Sequence, residues 1–348
     1  VLNVNSKIAP ALIGREVDPY TIDVVLAQLD PTENHSALGA NATLATSIAV
    51  AKAAGGDNLA LFFDSNENLL IPMPMVNILS GGAHAAKTMD IQDVLVIPNG
   101  ATSFKEAITW VSQVREAAAK NGKAVGPSHL IADEGGLGLP FKSIDLACQF
   151  ITKAIEDVGL KVGSQVSIAL DIASTQFFDG EKYNLVNEGR TLTSSEFISY
   201  LSNLVSNQPI ISIEDPFAED DWKAWSAFTA IAPKYLQIVG DDLFTTNAAR
   251  LARGIAEKSA NSILIKANQN GLVTFTESVL KMAQSEGFKT IVSARSGETE
   301  DSWLADLAVG WRAAQIKVGS THGSDRTAKW NRLLELEATV KTTFARPF

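Results

Sequence analysis

The sequence is poor in cysteine, and it has neither a long apolar run nor a typical secretory leader. Its 348 residues include one cysteine, Cys148, which cannot form a disulfide within the chain and is expected to pack in the core. No apolar run reaches the ~18 residues that span a membrane, and no basic segment leads into an apolar stretch. We therefore expect a cytoplasmic protein that makes no contact with a membrane.

Basic residues are fewer than acidic residues in this sequence. The chain carries 29 Lys and Arg against 39 Asp and Glu, a formal net charge of −10, and its basic residues are scattered. Because a nucleic-acid-binding surface needs clustered positive charge, nucleic acid is not an expected partner. Hydrophobic residues make up 46% of the chain, which is enough for one large domain with or without a smaller one.

Short apolar runs alternate with amphipathic segments from about residue 160 onward. This alternation is typical of parallel βα units, and earlier strands are predicted near 76–80 and 91–98. The sequence therefore predicts an α/β protein built on a closed (β/α)8 barrel, with its active site at the carboxyl ends of the strands. The six runs are "VSIALD", "IISIED", "LQIVGDD", "SILIK", "TIVSAR" and "AAQIK".

The first part of the chain lacks the barrel pattern. Residues 1–63 read as several helices, so we predict a smaller domain over 1–63 and a barrel domain over 64–348. Three barrel helices have readable starts, at "SFKE" (103–106), "TSSE" (193–196) and "TFTE" (274–277). In the last two, a hydroxyl and a carboxylate can cap the first turn reciprocally.

Each of the six apolar runs ends on a charge. Asp171, Glu214 and Asp241 end three successive runs, and together they offer only oxygen ligands. Such a set suits a hard cation, for which Mg²⁺ is the natural choice. A single charge after a strand is commonly just a solvated loop residue, but six in register predict a shared site.

Three basic residues end the other runs, and they imply an anionic substrate. Arg295 could grip a phosphate or carboxylate, Lys317 could hold a second anionic group, and Lys266 could be a general base if nearby cations lowered its pKa. The alternative is an internal salt-bridge network that only rigidifies the barrel mouth, although buried networks stabilise poorly for their desolvation cost.

Motifs along the whole chain resemble the enolase family. What the resemblance implies is an enolase-like barrel and reversible dehydration of 2-phosphoglycerate to phosphoenolpyruvate on two Mg²⁺ ions, in a homodimer with a small anionic phosphorylated substrate as its partner. The motifs are "IAPALIG", "PTENHSALGANATLATSIAVAKAA", "GGAHA", "DIQD", "ADEGG", "SIEDPFAEDDW", "VGDDLFTTN", "LIKANQNG", "SARSGETEDSWLADLAVGW" and "QIKVGS".

The resemblance also implies a role for each matching residue. Asp171, Glu214 and Asp241 match the ligands of the first metal ion. Lys266 matches the base for the C2 proton, and Glu134 matches the acid for the C3 hydroxyl. Asp93 matches a carboxylate paired with that acid. The expected substrate-binding residues are His84, Gln92, Arg295, Ser296 and Lys317.

The sequence departs from the family pattern at several positions. Ala294 stands where the family has His, Asp93 where it has Glu, and Gly323 where it has Arg. The N-terminal sheet and the loop that supplies a ligand to the second metal ion are not in this sequence, so the smaller α+β domain is expected to be incomplete. Ala294 and Asp93 are expected to leave extra room beside the phosphate grip.

Three functions remain open at the level of sequence. The first is the ordinary dehydration. The second is the processing of a phosphonate or carboxylated analogue of phosphoenolpyruvate in secondary metabolism, as in an enzyme of the carboxyphosphonoenolpyruvate synthase type. The third is a non-catalytic binding paralogue. Retention of the metal ligands, Lys266, Glu134 and Lys317 disfavours the third.

Overall fold

The computed structural model describes residues 1–348, and its first 63 residues form helices and no strand. The helices here are α1 (Ala9–Leu12), α2 (Pro19–Leu29), α3 (Ala40–Gly55) and α4 (Leu59–Phe63), besides a π-helical turn at Val4–Ile8 and a 3₁₀ turn at Gly56–Asn58. α2 begins at a proline, and Asp18 before it accepts hydrogen bonds from the backbone N–H groups of Tyr20 and Thr21. The helices predicted for this segment are present, and the division at residue 63 stays a prediction.

Twelve strands follow, and eight of them close into one barrel. The strands are β1 (Leu69–Ile71), β2 (Met73–Ser80), β3 (Asp93–Ile97), β4 (Ser167–Asp171), β5 (Lys182–Leu185), β6 (Arg190–Thr193), β7 (Ile210–Glu214), β8 (Gln237–Gly240), β9 (Ser262–Ile265), β10 (Lys289–Ser293), β11 (Gln315–Gly319) and β12 (Thr342–Phe344). Around the barrel their order is β10-β11-β2-β3-β4-β7-β8-β9. The predicted barrel is confirmed, and β1 with β12 and β5 with β6 form two small sheets outside it.

Strand β3 runs against both of its neighbours, which differs from the all-parallel sheet that repeated βα units predict. A parallel pair needs a crossover connection, usually a helix, and residues 81–92 between β2 and β3 contain only one short 3₁₀ turn, Gly82–Ala85. Because β3 is reversed, its first residue lies where the neighbouring strand ends, and Asp93 pairs with Asp171.

Helices surround the barrel. They are α5 (Phe104–Gly122), α6 (Ile144–Asp157), α7 (Ser194–Asn207), α8 (Trp222–Ile231), α9 (Ala248–Glu257), α10 (Ala267–Asn270), α11 (Val273–Ser285), α12 (Trp303–Gly310) and α13 (Ser324–Thr339). Cys148 is fully buried on α6, as predicted. None of the helices combines the length and the apolar composition that crossing a membrane requires.

Two of the three predicted helix starts are confirmed. Ser103 precedes α5 and accepts a hydrogen bond from the backbone N–H of Glu106. Thr193 precedes α7 and forms a reciprocal capping box with Glu196. In both cases the side chain satisfies N–H groups that have no partner inside the helix.

The third predicted start, the capping box at 274–277, is wrong. Helix α11 begins one residue earlier, at Val273, and has no side-chain cap from its own sequence. Side chains from residues 1–63 take the place of this cap. Ser47 Oγ accepts a hydrogen bond from Val273 N, and Asp23 Oδ2 accepts one from Thr274 N, each at 2.9 Å. The first 63 residues therefore hold the start of a barrel helix that comes shortly after Lys266.

The barrel interior is filled by apolar side chains below a polar mouth. Since side chains alternate between the two faces of a strand, every second residue of a barrel strand points inward. The inner cluster consists of Met73, Met75, Leu95, Ile97, Ala169, Val239, Leu264 and Ile291. Two residues beyond Ala169, Val239 and Leu264 stand Asp171, Asp241 and Lys266, so the same alternation directs these charges into the mouth.

Candidate active site

The structure brings the charged strand ends together at one end of the barrel. Asp171 is paired in register with Asp93 on one side and with Glu214 on the other, so three carboxylates stand side by side. All three are at most 2% exposed. The residues that converge at this mouth from the ends of the predicted runs are Asp171, Glu214, Asp241, Lys266, Arg295 and Lys317.

Lys317 lies between two carboxylates in the mouth, and we call it the lysine hub. Its Nζ lies 2.7 Å from Asp171 Oδ2 and 2.8 Å from both carboxylate oxygens of Glu214. Burial alone would lower the pKa of Lys317, but Asp171 and Glu214 outweigh burial and raise this pKa well above its ordinary value. Burial, and then repulsion by Asp171, raises the pKa of Glu214. The predicted anion-holding lysine is thus engaged by two of the predicted metal ligands.

Lys266 and Asp241 form a second buried ion pair. Burial opposes the charge on each, yet attraction between the two lowers the pKa of Asp241 and raises that of Lys266. The neighbouring charges of Lys266 are mainly carboxylates, so the condition for a lowered pKa, crowding by cations, is not met by the chain's own residues, and the role of Lys266 as a base stays a prediction. Gln269 Nε2 also donates to Asp241 Oδ1 at 3.0 Å, which fixes the carboxylate from a second side.

Glu134 enters the mouth on the loop between α5 and α6, and polar side chains orient it. Ser296 Oγ donates to Glu134 Oε1 at 3.2 Å, and Asn77 Nδ2 donates to Oε2 at 2.9 Å. Ser296 Oγ also lies 3.1 Å from His84 Nε2. Glu134 is only 8% exposed, so these contacts hold a carboxyl group that water barely reaches.

Asp93 stands beside this group and is fully buried. Ser80 Oγ donates to its Oδ1 at 2.6 Å, while its Oδ2 has no hydrogen-bond partner and lies 4.0 Å from His84 Nδ1. Burial, and then repulsion by Glu134 and Asp171, raises the pKa of Asp93 well above its ordinary value. A buried carboxyl group with a raised pKa can hold a proton at neutral pH, which suits acid–base chemistry.

The remaining predicted substrate-binding residues lie at the edges of the mouth. Gln92 Nε2 donates to Asp171 Oδ2 at 3.0 Å, and Gln92 Oε1 accepts from Gln176. The side chain of Arg295 is exposed and makes no hydrogen bond or ion pair within the chain, so its guanidinium is free to take an anion. A cleft of about 320 Å³ lies beside it, with Trp303 among the residues that line it.

Two family models match this chain and together cover most of it. The model described as "Enolase, N-terminal domain" matches residues 1–63, and the model described as "Enolase, C-terminal TIM barrel domain" matches residues 68–345. The chain belongs to the enolase family. The resemblance inferred from its motifs is thereby confirmed, and the chain is an enolase-like lyase.

The structure corrects one expectation about this enolase-family chain. Ala294 is 6% exposed, belongs to the large hydrophobic cluster between the barrel and its helices, and is not among the residues that line the cleft beside Arg295. Its neighbours Ser293 and Arg295 do line that cleft, as alternation along the strand requires. The small side chain of Ala294 therefore does not open the substrate pocket in the predicted way.

Replacing Ala294 by His is expected to lower the free energy of unfolding by about 1–3 kcal/mol, because the larger ring must enter a packed cluster. Urea unfolding measures the loss. Ala53→His on the exposed face of α3 is the control, and it should cost less than about 1 kcal/mol. A variant Ala294→His that is as stable as the wild type would show that space for an imidazole exists at this position.

The oxygens of the three predicted metal ligands do not lie together as one compact group in the mouth of this enolase-family chain. The ligand oxygens of Asp241 group instead with those of Asp215 and Asp242, while Lys317 stands against Asp171 and Glu214. The mouth therefore contains buried ion pairs between these carboxylates and the two lysines, and the alternative that they serve only to rigidify it stays a prediction.

The donor chemistry nevertheless fits Mg²⁺. The donors are buried carboxylate oxygens, which are the ligands that this ion prefers. The carboxylates in and beside the network also outnumber the two ammonium groups that contact them, and a further cation would offset this excess. These carboxylates are Asp93, Glu134, Asp171, Glu214 and Asp241, and the two ammonium groups belong to Lys266 and Lys317.

Sequence reasoning missed several residues that hold the mouth. Asp215 follows Glu214 and accepts hydrogen bonds from the backbone N–H groups of Asp241 and Asp242, at 2.9 and 2.8 Å. Asn77 interrupts an otherwise apolar strand, and a polar residue at such a position was a usable signal. Asp215 gave a weaker signal, since a charge next to a predicted ligand reads as part of the same loop.

Proposed function

We propose that the protein is a Mg²⁺-dependent lyase that reversibly dehydrates 2-phospho-D-glycerate to phosphoenolpyruvate. The observation that carries the proposal is the meeting, in one buried mouth, of the Lys266–Asp241 pair, the Lys317 hub and the Glu134 cluster. Family membership supplies the reaction class, and these groups supply one residue for each step of it.

Proton transfer at C2 is the role proposed for Lys266. A C–H bond next to a carboxylate is weakly acidic, and losing its proton places a second negative charge on that carboxylate. Lys266 accepts the proton at Nζ once that nitrogen is neutral, and a cation held by Asp241 would favour the neutral form by offsetting the attraction that raises the pKa of Lys266. Lys317 and Arg295 provide positive charge toward the substrate's anionic groups, and Ser296 adds a hydroxyl donor.

Departure of the C3 hydroxyl is the role proposed for Glu134. Its carboxyl donates a proton to the hydroxyl, which leaves as water while the C2–C3 double bond forms. Asn77 and Ser296 hold the carboxyl in place, and the buried carboxyl of Asp93, whose pKa is raised, lies beside it.

Two Mg²⁺ ions are proposed as cofactors. Asp171, Glu214 and Asp241 would hold the first, and no ligand is proposed for the second. When bound, the ions supply positive charge that stabilises the doubly charged carboxylate. A homodimer, a phosphorylated substrate and a cytoplasmic location also stay predictions.

The proposed function is tested by adding 2-phosphoglycerate to the protein and measuring the ultraviolet absorbance of the phosphoenolpyruvate that forms. Absorbance should rise in millimolar Mg²⁺ and stay flat in EDTA, because the buried carboxylates need a cation to accept a further anion. Heat-denatured protein in Mg²⁺ is the control. A flat trace from folded protein that binds Mg²⁺ would refute the proposed reaction.

A further inference from the structure

Arg326 lies beneath the active-site mouth without reaching the substrate side. It stands in the first turn of α13 and is 1% exposed, which makes it one of the largest fully buried side chains of the protein. The one carboxylate that pairs with it is that of Asp325, whose Oδ2 lies 2.9 Å from its Nε. A buried guanidinium needs compensation for lost hydration, and here backbone carbonyls provide most of it.

The guanidinium donates to carbonyls of three separate segments. Nη1 donates to Arg295 O at 2.7 Å and to Val318 O at 2.9 Å. Nη2 donates to Ser296 O at 2.6 Å and to Asp133 O at 3.3 Å. One side chain therefore joins the loop of the proposed acid, the loop of the proposed phosphate grip, and the strand of Lys317.

Every one of these carbonyls belongs to a residue with a proposed role or to its chain neighbour. Arg295 and Ser296 carry the grip themselves, Asp133 precedes Glu134, and Val318 follows the lysine hub. Carbonyls in irregular loops have no strand or helix partner, so without Arg326 these loops would lose a shared anchor. Arginine suits the position because its planar fork holds several donors in fixed directions, which lysine does not.

Gly319 makes room for this arrangement. Its φ is +119°, and a Cβ placed on it would lie 2.7 Å from Glu134 O and 3.0 Å from Arg326 Cδ. The backbone of the acid loop and the aliphatic part of Arg326 therefore approach the same point from two sides. Ser320 N completes the contact by donating to Glu134 O at 2.8 Å.

We propose that Arg326 is a positioning residue that sets the distance between the acid Glu134 and the phosphate grip at Arg295 and Ser296. The hydrogen bond from Ser296 Oγ to Glu134 Oε1, 3.2 Å long, spans the distance that Arg326 maintains. The expected effect of Arg326 on catalysis rests on the proposed function. The shared anchoring of the loops does not depend on which reaction takes place.

The main test replaces Arg326 by Lys. We expect kcat to fall about 10- to 100-fold, since small displacements of catalytic groups cost this much. Amide hydrogen exchange should rise together in segments 131–136 and 294–298, while the C-terminal turns of α13 keep their protection. Arg332→Lys on the same helix, where Arg332 pairs with Asp306, is the matched control and should change neither kcat nor exchange in the two loops.

The two readouts separate failure of the inference from failure of the proposed function. Unchanged exchange in the two loops, or loosened loops with unchanged kcat, would overturn the positioning role. A wild-type protein without turnover would overturn the proposed function, and loop exchange would then still decide whether Arg326 anchors both loops. If Arg326→Lys does not fold, Asp325→Asn is the second variant, because it removes the ion-pair partner of Arg326. It should raise amide hydrogen exchange in the same two loops to a smaller extent. Unchanged exchange in this variant would refute the proposal that Arg326 anchors the loops.

Discussion

Replacing Lys266 by Met is expected to lower kcat for phosphoenolpyruvate formation by about 10²- to 10⁴-fold, the range that a positioned acid or base contributes. Met is an unbranched side chain of similar size, but it cannot accept the C2 proton. Because Lys266 is paired with buried Asp241, the change also leaves that carboxylate without its partner. Rates are therefore compared only after circular dichroism and thermal unfolding show that the variant is folded.

Exchange of the C2 hydrogen distinguishes the base from the acid. 2-Phosphoglycerate deuterated at C2 should lose its label to solvent with the wild type and with Glu134→Gln, which impairs only the departure of the hydroxyl. Lys266→Met should not release the label. Lys234→Met changes an exposed lysine without an ion pair and should keep the wild-type kcat. Label release at the wild-type rate by Lys266→Met would exclude Lys266 as the base.

Replacing Lys317 by Met is expected to lower the free energy of unfolding by about 3–5 kcal/mol in EDTA, because it leaves Asp171 and Glu214 buried without their cation. Mg²⁺ should restore more stability to this variant than it adds to the wild type, because its charge can replace that of the ammonium group. Urea unfolding in EDTA and in Mg²⁺ measures both effects.

The loss of stability in Lys317→Met should also grow as pH rises. Without Lys317 the already raised pKa of Glu214 rises further, so folded Glu214 keeps a proton that the unfolded chain releases. Such a carboxyl group stabilises the folded state fully at pH values below the pKa that it has in the unfolded chain. This contribution is lost as the pH rises through the higher pKa that it has in the folded state. Lys153→Met, which breaks an exposed i,i+4 pair with Asp157, should change the free energy of unfolding far less than Lys317→Met at any pH, because solvent screens the exposed pair. An equally small loss of unfolding free energy for Lys317→Met would contradict the proposal that Lys317 compensates the buried charges of Asp171 and Glu214.

The convergence of the strand-end charges was predictable from the chain alone. Buried strands read as apolar runs, and the carboxyl ends of barrel strands meet at one end, so a charge that ends each run must arrive at a shared mouth. Asp171, Lys266 and Lys317 follow from this rule without reference to any motif. The roles of these residues in the reaction stay predictions.

Other features had no local signal. The reversal of β3 follows from a connection without a crossover helix, and this is hard to see when the apolar runs look alike. The cap of α11 comes from Asp23 and Ser47, more than 200 residues earlier in the chain. Arg326 reads as an ordinary helix residue because its partners are backbone carbonyls, which the sequence does not distinguish.

The barrel and the set of charges at its mouth could be predicted from the chain alone, because alternation along strands and the direction of βα units are local properties. The family was predicted separately, from the resemblance of the motifs. The pairing of those charges, with Lys317 between Asp171 and Glu214, and the packing of Ala294 in the large hydrophobic cluster are properties of the closed barrel. Ion pairing and pKa depend on distances of a few ångströms between residues far apart in the chain, and these distances exist only once the barrel has closed.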